Sequence, residues 1–433
     1  MIVPLLWVPD NLSFYCGLEP DLPRDSGPKA ATGCATGFKR AWCCAMLAQT
    51  APICPLSPLD PLPRISDHVQ GCGGQIRTLV EDFQVEELPA YLPSGEGDHL
   101  YLWVEKRDMA GETMRRVIAR SVGAQNGDIG MAGLKDRRAV TRQWVSIPRK
   151  FADRIAAIEG DRLKVLQAVP HRNKLRTGHL DGNRFVIRIR GAVSDGAARI
   201  AAKLVALRQS GVPNFYGAQR MGHGGETLAA GWALSQGMTG LVCVELPDGT
   251  AHTIDLTDRV LRRLAASALQ SEVFNRTLAA RMAGGLFQTV LDGDLCRKTD
   301  TGGTFPTDDC AREQARFDDG QLELTGPMWG PKMMRPERTA AEFEASVLAS
   351  MGLTPENFVA LGHLAEGTRR PVRSVPTAIS VSEDDGLVVR FELPSGAFAT
   401  GVIHELVGPV AAAAADINPD FAAGSPASAV PCA

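Results

Sequence analysis

Residues 131–148 read MAGLKDRRAVTRQWVSIP and join a short loop to a strand pattern. GLKD (133–136) is predicted to be the loop, and AVTRQWVSIP (139–148) to be a strand that ends at Pro148. The loop carries one carboxylate, Asp136, among four cationic neighbours: Lys135, Arg137, Arg138 and Arg142. Nearby positive charge favours an ionised carboxylate, which suits a nucleophile or general base facing a polyanion. A surface loop with a neutralised aspartate is the alternative.

The segments on either side of this stretch also alternate as strands do. FQVEE (83–87) and HLYLWVE (99–105) precede it, and NRFVIRIRG (183–191) follows. In the last segment the two faces differ, with Phe185, Ile187 and Ile189 on one and Arg184, Arg188 and Arg190 on the other. The sequence therefore predicts a sheet with a basic row on the surface opposite its core.

Helical periodicity predicts four further helices, at 111–122, 197–210, 257–284 and 338–352. LVVRFELPSGAFATGVIHEL (387–406) predicts a strand, a turn and a helix. Between about 240 and 372 the chain becomes more acidic and gains glycine-rich joints. This change of character indicates a second domain.

The two ends of the chain differ from the rest. Residues 1–70 hold 10 of the 28 prolines and half of the cysteines, and PICPLSPLDPLPR (52–64) cannot form a helix or a central strand. We predict that residues 1–70 are a disordered extension, with a wrongly assigned translation start as the alternative. We also predict that residues 409–433 are a disordered tail. On this view, deleting residues 1–70 leaves the activity intact.

Composition sets limits on the function. The 433 residues are 44% hydrophobic and 22% charged, which excludes a collagen, a coiled coil and a wholly disordered chain. The net charge is −3, yet residues 135–220 carry a surplus of 13 positive charges, so the remainder carries −16. Such a basic segment suits a phosphate backbone, although packing against the acidic parts could also neutralise it.

Cysteine and histidine spacing argues against a metal site and against disulfides. The ten cysteines include no CxxC pair, and the eight histidines form no HxH or HExxH motif. The first residues make a poor signal peptide, and no apolar run is long enough for a membrane span. We expect a cytoplasmic protein without a metal ion and without a membrane segment.

Two more stretches could carry chemistry. GVPNFYGAQRMGHGG (211–225) is rich in glycine, and its other side chains suit an unstacked RNA base: Asn214, Phe215, Tyr216, Gln219 and Arg220. It is neither a P-loop nor a dinucleotide fingerprint. In LPSGAFATGVIHEL (393–406), Phe398 follows a turn that ends a strand. Taken singly, each stretch is equally typical of a turn with a core aromatic residue.

Taken together, the three stretches resemble one family. GLKDRRAVTRQ, NFYGAQRMG and LPSGAFATGVIHEL occur in the order found in the D-type (TruD) family of tRNA pseudouridine synthases. EDFQVEE, GEGDHLYLWVEK and GNRFVIRI resemble further segments of that family. The resemblance covers about residues 72–408, and its K-D-x-x-A-x-T-x-Q pattern is highly specific.

The resemblance implies a fold and an activity. The fold would be α+β, with a mixed, mainly antiparallel sheet in a catalytic domain made of 71–239 and 373–408. A smaller α/β TRUD domain, 240–372, would be inserted before the final strands, and the two would form a basic cleft for tRNA. The activity would be isomerisation of uridine, at position 13 of tRNA, to pseudouridine. The family implies no cofactor, and we expect a monomer.

The resemblance also assigns roles to residues. Asp136 matches the catalytic aspartate, which could attack C1′ or take the 2′ proton. Arg77 stands where the family usually has a lysine that pairs with this aspartate, and Tyr216 where a phenylalanine stacks on the base. Lys135 would help to set the charge around Asp136. The remaining matched positions would shape the pocket or bind substrate: Phe83, Asn214, Gln219, Arg220 and Phe398. Met221 replaces a usual phenylalanine, and Glu405 would have a structural role.

Two other functions remain open from the sequence. One is an RNA-binding protein that keeps the scaffold without the chemistry, against which the intact Asp136 argues. The other is a hydrolase that uses Asp136 on a free nucleoside, against which the basic segment argues. Loss of isomerisation with retained binding in Asp136→Asn would exclude the first, and the absence of released uracil would exclude the second.

Overall fold

The structure is a computed structural model that describes residues 52–158 and 160–408. Its strands, in chain order, are β1 (Phe83–Pro89), β2 (His99–Arg107), β3 (Gly130–Met131), β4 (Val140–Pro148), β5 (Leu163–His171), β6 (Leu180–Ile189), β7 (Val212–Pro213), β8 (Leu241–Glu245), β9 (Ala251–Asp255), β10 (Leu295–Lys298), β11 (Thr304–Pro306), β12 (Leu322–Met328), β13 (Thr368–Pro371), β14 (Arg373–Ser374), β15 (Thr377–Glu383) and β16 (Leu387–Pro394). Its α-helices are α1 (Gly111–Val122), α2 (Gly196–Ser210), α3 (Glu226–Ser235), α4 (Arg259–Ala283), α5 (Cys310–Asp318), α6 (Arg338–Ser350), α7 (Pro355–Leu361) and α8 (Ala399–Val407).

The largest sheet in the described part of the chain has eight strands in the order β15-β16-β6-β1-β4-β2-β5, with β3 paired to β4. Strands β1 and β4 run parallel, and the other neighbours run antiparallel. The prediction of an α+β fold with a mixed, mainly antiparallel sheet is therefore confirmed. The predicted strands at 83–87, 99–105 and 183–191 correspond to β1, β2 and β6.

The larger part of the core lies on one face of this sheet and is covered by helices, while a smaller cluster with Tyr101 and Trp144 packs on the other face. Helix α1 packs on β2 and β4 through residues such as Met114 and Ile118. Helices α2 and α8 pack on β1, β6 and β16, whose inward side chains include Phe83, Phe185 and Ile187. The strand pattern explains this arrangement, because alternate residues of a strand point to one face. The loops that end β3 and β16 meet these helices, and they carry the site described below.

A second sheet lies within the predicted insertion. Strands β11-β10-β12-β13 form it, and α4 packs against it through Phe274 and Leu278. Asp258 caps α4, because its carboxylate accepts hydrogen bonds from the backbone N–H groups of Val260 and Leu261 at 2.7 and 3.1 Å. The division of the chain into a catalytic domain and an insertion at 240–372 stays a prediction.

The predicted basic row on the largest sheet exists, but it is neutralised. Arg184 pairs with Glu86 at 3.0 Å and with Glu392 at 2.8 Å. Arg190 binds the fully buried Asp82 at 2.7 Å, and Arg188 lies 3.7 Å from the same carboxylate. The alternative of neutralisation by the acidic parts of the chain therefore holds for this strand, because acidic residues from neighbouring segments lie against all three arginines.

The prediction of disorder for residues 1–70 is wrong for residues 52–70, which pack on the fold. Cys54 and Leu56 are buried, and the backbone N–H of Cys54 donates to the carbonyl of Glu245 at 2.8 Å. Ser66 donates through Oγ to the Glu405 carboxylate at 2.5 Å and accepts from Lys203 Nζ at 2.8 Å. Proline-rich chain can pack without a helix or a central strand, which composition alone does not reveal. Residues 1–51 and the predicted tail 409–433 lie outside the described residues.

These contacts reverse the expectation that residues 1–70 are dispensable. A chain that begins at residue 71 lacks Ser66 and leaves the buried charges of Lys203 and Glu405 without that shared partner. A buried charged group that loses a hydrogen-bond partner typically costs about 1–3 kcal/mol or more. We expect the chain that begins at 71 to unfold at a clearly lower denaturant concentration than a chain that begins at 52. Equal midpoints in a side-by-side denaturation would contradict this expectation.

No helix among the described residues is long and apolar enough to cross a membrane.

Candidate active site

Asp136 lies in the loop between β3 and β4, and two side chains of the sheet hold this loop. Lys106, on β2, donates from Nζ to the backbone carbonyl of Asp136 at 2.6 Å. Gln143, on β4, donates to the carbonyl of Gly133 at 3.2 Å. Both ends of the GLKD segment are thereby hydrogen-bonded to interior strands of the sheet, which fixes the position of Asp136.

The carboxylate of Asp136 pairs with Arg77. Arg77 Nη2 donates to Asp136 Oδ1 at 2.6 Å, and the two side chains are 17% and 39% exposed. The guanidinium of Arg77 lies 4.0 Å from the centre of the Phe83 ring, which packs edge-on against Phe185. Arg77 has a positive φ of 59°, a backbone conformation that costs free energy for residues other than glycine. The aromatic ring and the carboxylate fix this arginine, and the carboxylate stays reachable from solvent.

Lys135, although adjacent to Asp136, points the other way. Its Nζ lies 2.8 Å from Glu87 Oε2, and both side chains are almost fully buried. Burial raises the pKa of Glu87, and the charge of Lys135 opposes that rise. Glu87 also accepts from the backbone N–H of Trp144 at 3.2 Å. Successive residues in extended chain face opposite sides, so Lys135 anchors the loop to β1 rather than pairing with Asp136.

Arg142, a further cation of the predicted cluster, is also engaged elsewhere. Its Nε donates to Glu105 at 2.9 Å, on the opposite face of the sheet from Lys106. The cation that pairs with the Asp136 carboxylate is Arg77, which lies 59 residues earlier in the chain. Of the cations predicted near Asp136, Lys135 and Arg142 therefore pair with other carboxylates, and their effect on its charge environment stays a prediction.

Lys106 is a residue that the sequence interpretation missed. It is fully buried, and this burial lowers its pKa to about 8, against the opposing charges of Asp136 and Asp108. A signal was present in the strand pattern, because Lys106 is in phase with Leu102 and Val104 on the core face of β2. A lysine in phase with core positions indicates a buried cation with a specific acceptor.

Burial of Lys106 predicts a pH dependence of stability. The lysine loses its proton near pH 8 in the folded state and near pH 10.5 when unfolded. Below pH 8 both states are protonated and the folded state bears the whole cost of the buried charge; between pH 8 and 10.5 that cost is relieved. We expect the stability of the wild type, relative to Lys106→Met, to rise over this window by about 3 kcal/mol. Chemical denaturation of both proteins across the window measures it, and a constant difference would contradict it.

The second half of the site is a group of aromatic rings around one guanidinium. The rings of Tyr216 and Phe398 lie 5.7 Å apart at 55°, and Phe398 is 43% exposed. The guanidinium of Arg370 lies 4.2 Å from the Tyr216 ring centre and 5.3 Å from that of Phe398. Phe274 closes the group from α4, 5.8 Å from Tyr216. An aromatic surface of this kind can stack on a planar base.

Asparagine side chains hold this group in place. Asn214 is buried, donates from Nδ2 to the carbonyl of Pro371 at 3.0 Å, and accepts from Arg370 at 2.6 Å through Oδ1. Asn275 clamps Tyr216 by accepting from its N–H and donating to its carbonyl, each at 2.9 Å. Asn214 thus contacts the protein backbone and Arg370, so a direct contact with substrate stays a prediction.

The remaining predicted positions lie beside Tyr216 or in the core. Gln219 and Arg220 are exposed on the short 3-10 helix Ala218–Met221, and the Arg220 guanidinium lies 5.5 Å from the Tyr216 ring. Met221 is 1% exposed and packs in the core with Leu228, so it replaces the usual phenylalanine as an apolar side chain. Glu405 is buried and binds Ser66, which is a structural role.

The two halves of the site border the same core. Phe83, beneath Arg77, packs in one cluster with Ala399 and with the partly buried Ala397, the two neighbours of Phe398. The loop before α8 and the loop before β4 therefore present an aromatic surface and a carboxylate from one layer. Within residues 52–158 and 160–408, no group of His, Cys, Asp and Glu could hold a metal ion.

Comparison with known proteins places the chain in a family. The sequence model of tRNA pseudouridine synthase D (TruD) matches residues 65–240 and 241–406. The tRNA pseudouridine synthase D of Anaeromyxobacter dehalogenans strain 2CP-1 is 44% identical over 346 residues, covering 80% of this chain and 96% of its own. The protein of the same name from a strain of Thermus thermophilus is 41% identical over 348 residues, covering 80% and 92%.

The fold is shared with a solved structure. The crystal structure of the TruD protein of Methanosarcina mazei covers 80% of this chain and 96% of its own, with a TM-score of 0.63 at 24% identity. The sequence matches extend across both the carboxylate loop and the aromatic group described above. The chain belongs to the tRNA pseudouridine synthase D (TruD) family.

Proposed function

We propose that this protein isomerises uridine in tRNA to pseudouridine, with Asp136 as the catalytic residue and uridine 13 as the target. The observation that carries the proposal is the Asp136–Arg77 pair, a solvent-reachable carboxylate fixed at 2.6 Å by one guanidinium. Membership of the family supplies the reaction class, isomerisation of uridine to pseudouridine.

The reaction exchanges one bond for another within the nucleotide. The N1–C1′ bond of uridine breaks, the uracil turns, and C5 bonds to C1′, while C5 loses a proton and N1 gains one. No atom of a second substrate is needed, because the base that leaves is the base that is bonded again. The chemistry therefore requires a carboxylate that acts on the sugar and a pocket that retains the detached uracil. We propose that the enzyme acts without a cofactor and as a monomer, because one chain supplies both requirements.

Asp136 can serve this reaction in two ways. It can attack C1′ as a nucleophile or take the 2′ proton as a base, and both need its ionised form. Arg77 favours that form and limits the rotation of the carboxylate, because it binds Oδ1 and is itself packed on Phe83. Asp136 Oδ2 remains for the substrate.

The target base must leave the helical stack to reach Asp136, which costs a few kcal/mol. Tyr216 and Phe398 support a recognition role, since they offer two inclined aromatic faces, one of which is largely exposed. Stacking on such a face recovers about 1–3 kcal/mol per base. Gln219 and Arg220 are proposed to complete the pocket around the nucleotide, with Asn214, Lys135 and the buried Phe83 holding its frame.

Binding of the tRNA backbone is proposed to involve a basic cleft. Residues 135–220 have 13 more positive than negative charges, although the arginines of β6 are already paired. Affinity should fall as salt rises, because phosphate contacts release bound counterions. We also propose a cytoplasmic location, where tRNA is found.

The target position is tested with defined transcripts. Wild-type enzyme is incubated with a tRNA transcript and with the same transcript carrying cytidine at position 13, and pseudouridine is quantified by chromatography of the digested nucleosides. The proposal predicts one pseudouridine per tRNA in the first and none in the second. Equal modification of both transcripts would overturn the assignment to position 13 and leave the reaction class standing.

A further inference from the structure

The guanidinium of Arg370 lies against two aromatic rings of the site, those of Tyr216 and Phe398. Besides Tyr216 and Phe398, its guanidinium lies 5.4 Å from the ring of Phe274. Its Nη2 donates to Asn214 Oδ1 at 2.6 Å and to the carbonyl of Asn214 at 3.3 Å. Asn214 and the side chain of Tyr216, both uncharged, thus orient the guanidinium, and three rings lie around it.

Arg370 differs from the adjacent Arg369 because no carboxylate of the described residues pairs with it. Arg369 binds both oxygens of the buried Glu344, at 2.9 and 2.6 Å. Arg370 makes no ion pair with any residue in the described ranges, and its Nε is buried without a hydrogen-bond partner. Burial lowers the pKa of Arg370, although an arginine remains charged at neutral pH. An enclosed cation without a counter-charge is costly, and such groups mark functional sites.

We propose that Arg370 is a catalytic residue that stabilises the negative charge on the uracil while it is detached from the ribose. The inference rests on the proposed function and names a task in it that Asp136 and Arg77 do not perform. Asp136 acts on the sugar, whereas Arg370 faces the aromatic rings that would hold the base. Stacking rings keep the base near the guanidinium but supply no positive charge of their own.

The electron balance of the reaction explains the need for this charge. When N1–C1′ breaks, both electrons of the bond stay with N1, and the charge spreads over the two carbonyl oxygens of the uracil anion. This holds whether Asp136 attacks C1′ or removes the 2′ proton. When C5 bonds to C1′, an electron pair of the anion forms the new bond, and the base becomes neutral while C5 still bears its hydrogen. A proton then leaves C5 and a proton binds N1, which gives pseudouridine. A fixed cation lowers the barrier most where charge is greatest, between the breaking of N1–C1′ and the formation of the C5–C1′ bond.

The test varies how readily the base carries negative charge. Single-turnover rates are measured with tRNA containing uridine and with tRNA containing 5-fluorouridine, whose base forms the more stable anion. The readout for both is loss of the starting nucleoside by chromatography, since C5 of the analogue has no hydrogen to release. Arg370→Gln and Arg370→Lys are compared with Arg220→Gln, a matched control in which an exposed arginine near the same Tyr216 ring is changed.

The proposal predicts a loss that depends on the base. Arg370→Gln should slow the uridine reaction by about 100-fold, as expected for one electrostatic contact in the transition state. The loss should be several-fold smaller with 5-fluorouridine, and Arg370→Lys should retain part of the rate on both. Arg220→Gln should slow both substrates by the same factor, with weaker binding and a smaller dependence of affinity on salt.

Three results would overturn the proposal. Equal losses on both substrates in Arg370→Gln, with a lowered melting temperature, would assign Arg370 a structural role through Asn214. An unchanged maximal rate with weaker, less salt-dependent binding would assign it to a phosphate. Unchanged kinetics would remove it from the reaction. Failure of the wild type to convert uridine would instead refute the proposed function, so the two failures are distinguishable.

Discussion

Asp136→Asn is expected to abolish pseudouridine formation while leaving the fold and tRNA binding in place. Asparagine has nearly the same shape and can still accept from Arg77, but it is neither a base nor a nucleophile. The rate should fall by about 10⁴-fold or more, the upper range for loss of such a group. The measurement is single-turnover pseudouridine formation by chromatography, together with tRNA affinity in a filter-binding titration.

The structure also predicts that this variant stays folded. The Asp136 side chain is 39% exposed, and pairs at this exposure contribute about 1 kcal/mol or less. Its backbone carbonyl keeps the hydrogen bond from Lys106. A variant that retains more than a tenth of the wild-type rate would contradict the role given to Asp136. A variant that loses both binding and its folded circular dichroism would contradict the structural account of the loop.

Arg77→Met, which changes the other member of the Asp136–Arg77 pair, is also expected to cause a large loss of reaction rate. Methionine keeps much of the side-chain volume over Phe83. It removes the hydrogen bond from Arg77 to the Asp136 carboxylate. The carboxylate then loses both its counter-charge and its orientation. We expect a rate loss of about 100-fold, the size that misplacement of a reacting group commonly causes.

Arg77→Lys provides the control for this prediction. Lysine restores the positive charge as a single donor without the planar fork of arginine, so it should recover part of the rate. The two variants are compared in the single-turnover assay, with thermal unfolding as a check on the positive-φ backbone that both must adopt at residue 77. A wild-type rate in Arg77→Met would show that the pair does not support catalysis.

Much of the largest sheet could be predicted from local pattern. The alternation in 83–87, 99–105 and 183–191 predicted β1, β2 and β6, and the helix at 111–122 agrees residue for residue with α1. In most of these elements one face is more buried than the other, so their period is visible in the sequence. Their pairing order, with β1 parallel to β4, depends on contacts between distant segments.

The candidate site was only partly predictable, because its charges come from distant segments. The motif around Asp136 suggested cations beside it in sequence, yet Lys135 binds Glu87, and the pairing cation is Arg77, which only the family resemblance indicated. Arg370 stands in no motif that the sequence analysis singled out, and only the fold brings it to Tyr216. Composition likewise could not show that the proline-rich residues 52–70 pack on the fold, since burial there depends on tertiary partners such as Glu405.

The most direct test of the central claim is release of tritium from tRNA labelled at C5 of uridine. Formation of the C5–C1′ bond must expel the C5 hydrogen, so the label passes to water only if the isomerisation occurs. We predict that the wild-type enzyme releases one equivalent of tritium per tRNA, without free uracil and with no release by Asp136→Asn. Absence of release by the wild type while the tRNA remains bound, or release of free uracil, would contradict the account.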